Sequence, residues 1–240
     1  MLKLRAFGPS DGLVSQSPFS IKAIGYLHLL DLDWQLDLKA DIRKQPFGKF
    51  PVLVDGDTIV PDSGAIASYL EAKIGRSLND GLSAADKALS HALIRMAEEH
   101  TYFIAVHNRW SNDQNFEIMR PSLAKIAPFP MSKILPGIIR KGVNKSVAGQ
   151  GIGRMSDAVR LDRFNADLDA VAHQLGTKQW LFGDQPRAAD LSVAPMLATV
   201  LACPAPTTIR QALSARTDLV DYAQRAMRDA LPSVDALPYP

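Results

Sequence analysis

FPVLVDGDTIVPDSGAIASYL, residues 50–70, contains the change of period that decides the fold. Val52-Leu53-Val54 and Thr58-Ile59-Val60 are short β-favouring runs, and the Asp-Gly pair in Asp55-Gly56-Asp57 suits a tight hairpin turn. From Ser63 onward the period becomes helical, with Ile66, Tyr69 and Leu70 on one face behind the capping residue types Pro61, Asp62 and Ser63. A hairpin thus feeds its chain into a helix start, where unpaired backbone N–H groups and the positive end of the helix dipole create an anion site.

Working outward, Leu2 to Phe7 reads as a first strand, followed by the Gly8-Pro9-Ser10-Asp11-Gly12 loop. Ser17 and Pro18 stand as N-cap and first residue of a helix on which Phe19, Ala23, Tyr26, Leu27 and Leu30 recur at helical spacing. Trp34 to Leu38 alternates as a second strand, and Asp41 to Pro46 forms a short polar turn. The order strand, helix, strand, short helix, strand, strand, helix closes near Gly75, and a polar linker runs from Arg76 to Ser83.

Pro51 ahead of a strand, with Asp62-Ser63 opening the next helix, resembles the glutathione-binding half of the glutathione transferase family. Taken singly, Pro51 also suits an edge strand and Ser63 a helix cap. The resemblance implies a cis bond before Pro51 and a Val52 backbone that meets the cysteinyl part of glutathione. It implies that Ser63 holds the γ-glutamyl carboxylate, Asp62 the γ-glutamyl amine, and Lys49 another carboxylate. Ser17-Pro18-Phe19-Ser20 is similar to a glutaredoxin Cys-Pro-x-Cys site with both cysteines replaced by serine. Without sulfur there is no dithiol chemistry, but a hydroxyl can still donate a hydrogen bond to a thiolate. A thiol of pKa near ~8.5 is mostly protonated at neutral pH, so such a donor on a helix dipole raises the reactive fraction. Ser17 is the candidate catalytic donor, with Ser15 and Ser20 in reserve.

Ser83-Ala84-Ala85-Asp86 opens a long helical run to Trp110 in which Leu89, Leu93, Met96, Tyr102, Phe103 and Val106 mark a buried face. By the resemblance this helix walls the cleft, and Tyr102, Phe103 and Trp110 are candidates for an electrophile pocket as well as for ordinary packing. His91, His100 and His107 lack the spacing of adjacent ligands, so no metal site is expected. Pro128 to Met155 has prolines, glycines and basic residues but no acidic one, and reads as an irregular basic excursion or a flap over the cleft. Its Gly149-x-Gly151-x-Gly153 lacks the strand that a nucleotide loop needs. Ser156 to Leu175 is amphipathic, Leu191 to Ala202 is almost wholly apolar, and a last helix is placed near Ala215 to Ala230.

The Trp180 to Asp190 string also matches the family, where the residue equivalent to Asp190 caps a buried helix, although Arg187 stands where Thr or Ser is usual. GQGIGRMS and SPFSIKAIGYL narrow the resemblance to the failed-axon-connections and metaxin-like branch, in its soluble bacterial form. The fold class expected is a thioredoxin-like α/β domain over 1–75 followed by an all-α domain over 84–240. The implied activity is conjugation of the glutathione thiolate to a hydrophobic electrophile. Glutathione-dependent peroxide reduction, dehalogenation or a non-catalytic metaxin-like adaptor are the alternatives. A homodimer is implied by the family alone.

Composition is consistent with this. The chain's 240 residues, 47% of them hydrophobic, can supply a core, and a net charge of +2 does not argue for nucleic acid. No run of about 18 apolar residues suggests a membrane span, and one cysteine, Cys203, excludes an internal disulfide framework. A cytoplasmic protein is the expectation.

Overall fold

The computed structural model describes residues 1–125 and 128–239. Its N-terminal part is a four-stranded sheet of order β2-β1-β3-β4. β1 (Leu2–Arg5) pairs in parallel with β2 (Trp34–Asp37), and the crossover between them is α1 (Pro18–Leu29). β3 (Val52–Asp55) pairs antiparallel with β1 and with β4 (Thr58–Pro61), after which α2 (Ser63–Ile74) begins. The hairpin turn proper is Gly56-Asp57, closed by the Asp55–Thr58 pair, and Gly56 takes the positive φ of +57° that such a turn requires.

The helical part follows. α3 (Ala84–Met96) runs through one π-helical turn (Ala97–Thr101) into α4 (Tyr102–Trp110). Ser83 opens it, its Oγ accepting from Asp86 N at 3.1 Å. α5 (Asp113–Ala124), α6 (Met131–Gln150), α7 (Asp157–Leu175), α8 (Asp190–Leu201), α9 (Thr208–Ser214) and α10 (Thr217–Asp229) complete it. α8 is buried at every position from Asp190 to Val200, because it is enclosed by α1 on one side and α10 on another. Gly25 permits that approach: a Cβ there would come within 2.6 Å of a Leu191 methyl. A thioredoxin-like part followed by an all-α part is the glutathione transferase fold expected from the sequence.

Three local expectations need correction. Leu89, placed on the buried face of the long helix, is exposed. α9 was not foreseen. The basic excursion is not irregular, since most of it is the 20-residue α6. Pro136 removes one helical hydrogen bond, but it, Val143 and Val147 share one face of a helix that packs against α4 and α5, and that packing offsets the loss. Arg140 adds bonds from the same face, its Nε to Trp110 O at 2.9 Å and its guanidinium to Ser111 O at 2.8 Å. The glycine triplet ends this helix. Gly151 has φ +115°, and a Cβ on Gly153 would meet the Ala148 backbone at 2.8 Å.

Candidate functional site

The strand register gathers the candidate residues at one end of the sheet. Arg5, Val52 and Pro61 share a row, so the end of β1, the start of β3 and the end of β4 lie together. From there the chain passes through a loop into α1, and directly into α2, so two helix N-termini open at the same end. The Phe50–Pro51 bond is cis. Phe7 ties the two loops together: its ring meets Phe50 edge-on at 5.3 Å, and its carbonyl accepts from Ser15 Oγ at 2.7 Å. A surface hollow of about 210 Å³ lined by His28, Trp34 and Pro238 lies at the C-terminal end of α1, away from these groups.

Hydroxyl accounting separates the three serines. Ser15 is fully buried and has given its proton to Phe7, while its oxygen accepts from Ser17 N at 3.2 Å. Ser20 is also fully enclosed, and its Oγ has no partner among the described residues. Ser17 is half-buried and caps α1 by accepting from Ser20 N at 3.4 Å, which leaves its own proton uncommitted.

Asp62, not Ser63, is the N-cap of α2. Its Oδ1 accepts from Gly64 N at 2.8 Å and Ala65 N at 3.0 Å, and its Oδ2 has no partner among the described residues. It holds φ at +76°, a conformation that costs a non-glycine residue about 1–3 kcal/mol and that concentrates at functional positions. Ser63 is the first helical residue, 2% exposed, with no hydrogen bond from its Oγ among the described residues. Lys49 is exposed and likewise without a partner.

Val52 requires correction. The two-residue turn makes Asp55–Thr58 a hydrogen-bonded pair, so by alternation Val52 faces Pro61 across a non-bonded pair, which suits a residue lacking an N–H. Val52 therefore turns both backbone groups to Arg5 of β1 and has none left for a ligand. Phe50, on the other side of the cis bond, makes no backbone hydrogen bond among the described residues. Sequence reasoning missed it because only the register shows which residue next to the proline is free. Gln45 was missed as well: buried, it donates to Asp41 O at 2.7 Å and accepts from Arg5 at 3.2 Å, fixing the loop that leads to Pro51.

The helical part closes one side. Phe19 packs edge-on against Tyr102 at 4.7 Å, Tyr102 against Phe103 at 5.2 Å, and burial pushes the Tyr102 hydroxyl pKa up. Arg109 reaches Asp11 of the front loop at 3.2 Å. Trp110 belongs to the α4–α6 contact through its carbonyl. Behind α1, Lys22 Nζ and Glu98 form a buried ion pair at 2.6 Å, and Ser192 Oγ joins the same carboxylate at 2.9 Å. No group of three or more metal-ligating side chains occurs among the described residues.

This arrangement has relatives. Residues 20–140 match the family described as outer mitochondrial membrane transport complex protein, and residues 164–226 match the glutathione S-transferase C-terminal domain. An isoprene-epoxide glutathione S-transferase of Rhodococcus sp. (strain AD45) is 30% identical over 231 residues, 94% of this chain and 97% of the relative. The chain belongs to the glutathione transferase superfamily, in its metaxin-like branch. Human metaxin-2 is 26% identical over 79% of this chain and 72% of its own length. Among solved structures, glutathione transferase F7 from Populus trichocarpa superposes with a TM-score of 0.59 at 19% identity, covering 98% of each chain, which speaks for the shared fold.

Asp190, the superfamily residue expected to cap α8, is its first residue and bonds backward. Oδ1 accepts from Leu181 N at 3.0 Å and Tyr222 Oη at 2.7 Å, and Oδ2 from Arg187 N at 2.8 Å. The Arg187 side chain has a different use, donating to Leu78 O at 3.0 Å and Asp80 O at 2.6 Å in the linker.

Proposed function

We propose that the protein is a glutathione transferase that adds the glutathione thiolate to a small hydrophobic electrophile. The observation that carries this reading is the Ser17 hydroxyl: its oxygen serves the helix cap, its proton is unspent, and it stands at the dipole end of α1. Donation from that hydroxyl, together with the dipole, stabilises a thiolate over a thiol at neutral pH. The groups around it suit the tripeptide's charges. The spare Asp62 oxygen fits the ammonium, the Ser63 hydroxyl at the α2 N-terminus a carboxylate, Lys49 a second carboxylate, and the Phe50 backbone the cysteinyl amide.

Phe19, Tyr102 and Phe103 offer an apolar wall for the second substrate. The name of the Rhodococcus relative makes a small epoxide the first electrophile to try. In that reaction the S–C bond forms as the ring C–O bond breaks, and the alkoxide takes up a proton.

The test is retention on immobilised glutathione together with conjugation of an epoxide and of a generic aryl halide. Ser17→Ala is expected to lower kcat mainly, and Ser63→Ala to raise the KM for glutathione mainly. Equal, small effects of both would overturn the assignment. The match of residues 20–140 to a mitochondrial transport-complex family supports a second reading, a non-catalytic adaptor on the same fold. Retention without any conjugation, or no retention at all, would favour it.

A further inference from the structure

α6 turns two different faces outward and inward. Inward, Pro136, Arg140, Val143 and Val147 lie on the face by which α6 packs against α4 and α5, Arg140 reaching the Trp110 carbonyl at the end of α4. Outward, Met131, Ile134 and Ile138 recur at helical spacing and are 43%, 53% and 55% exposed, and Phe129 just before them is 75% exposed. Single exposed apolar residues mean little, but three large ones in one stripe, with a fourth just ahead of the helix, ask for a partner. Lys141 and Lys145 continue the same stripe at the next two helical steps, and Lys133 stands 5.5 Å from the centre of the Phe129 ring. None of these lysines has a carboxylate partner among the described residues, and no acidic residue occurs from Pro128 to Met155.

We propose that this face of α6 seats the protein peripherally on an anionic lipid surface, with Phe129, Met131, Ile134 and Ile138 entering the headgroup boundary and Lys133, Lys141 and Lys145 meeting the phosphates. The helix has the composition of an interfacial one: basic on its exposed side, apolar at its tip, and without opposing charge. A second copy fits less well, because an antiparallel two-fold contact through this face presses the Lys141 and Lys145 ammoniums onto the partner's apolar end, and a parallel one sets lysines against lysines. No helix among the described residues is long and apolar enough to cross a bilayer, and this face requires none. The proposal is independent of glutathione chemistry, since α6 presents none of the groups at the sheet end.

The experiment is flotation of the full chain with phosphatidylglycerol–phosphatidylcholine vesicles and with pure phosphatidylcholine vesicles. Retention is expected on the anionic vesicles alone and is expected to fall steeply with salt. Lys141→Ala and Lys145→Ala should each weaken it by roughly fivefold, and Ile134→Asp by about tenfold or more. In Ile134→Trp the indole emission should shift to the blue on anionic vesicles. Because these side chains are exposed, unchanged melting temperatures and glutathione binding establish that the variants fold. Equal retention on both vesicle types, no retention on either, or indifference to the α6 substitutions would overturn the proposal. So would a dimer in sedimentation velocity that Ile138→Asp dissociates while vesicles retain nothing.

Discussion

Two of the aspartates that open helices in this chain, Asp62 and Asp190, do opposite things. Asp62 at the start of α2 is exposed, strained at φ +76°, and spends one carboxylate oxygen on its own helix while the other stays free. Asp190 at the start of α8 is 1% exposed and spends both oxygens on Leu181, Arg187 and Tyr222. The residue type is the same, yet one keeps an oxygen open to solvent and the other holds buried donors. What separates them is the accounting of acceptor oxygens and the water around them.

The largest effect expected is on the buried member. Asp190→Ala strands two backbone N–H groups and the Tyr222 hydroxyl, and should cost roughly 3–5 kcal/mol in chemical denaturation. A loss under about 1 kcal/mol would break the contrast. Next comes the hydroxyl that caps α1: Ser17→Ala should reduce conjugation turnover by about 10- to 100-fold. Its stability cost should be that of a lost cap, about 1 kcal/mol.

Asp62→Asn keeps a capping oxygen and tolerates positive φ, so stability should move by no more than about 0.5 kcal/mol. Glutathione affinity, measured by calorimetry, should nevertheless fall about tenfold as the charge is lost. Unchanged affinity would remove Asp62 from the site.

The smallest effect is a pair of opposed pH slopes. Burial holds the Asp190 pKa above the ordinary carboxylate value. A raised folded pKa favours the folded state when the group is protonated, so this contribution is present below the unfolded pKa and is lost as pH climbs through the folded one. Hydrogen bonds from Lys73 and Tyr69 hold the Asp55 pKa below the ordinary value. Its contribution is present above the unfolded pKa and is lost as pH falls through the folded one. Subtracting the Asp190→Asn and Asp55→Asn stability curves from wild type should therefore yield slopes of opposite sign in mildly acidic solution. Slopes of the same sign would show that the two environments do not differ as described.

Where one stretch carried its own signals, the elements could be read from it: the hairpin, the Ser17-Pro18 helix start and the apolar run of α8 all appeared close to their expected places. The failures share one cause. α6 looked irregular because Pro130, Pro136 and its glycines outvote local propensity, and only packing against α4 and α5 makes the helix worthwhile. The Lys22–Glu98 pair joins residues 76 apart in the chain, so neither gave any sign of it.

Short-range chemistry determined the order of elements as far as α2, the hairpin and the caps, because turns and caps are settled within a few residues of themselves; the cis bond before Pro51 and the superfamily were legible through the motifs that carry the resemblance. Tertiary structure alone decided that Phe50 and not Val52 keeps a free backbone, that Ser17 and not Ser15 keeps a free proton, and that α6 is a helix with an apolar outer face. Each of those depends on which partner a group has already found, and partners distant in the chain are chosen only when the chain is packed.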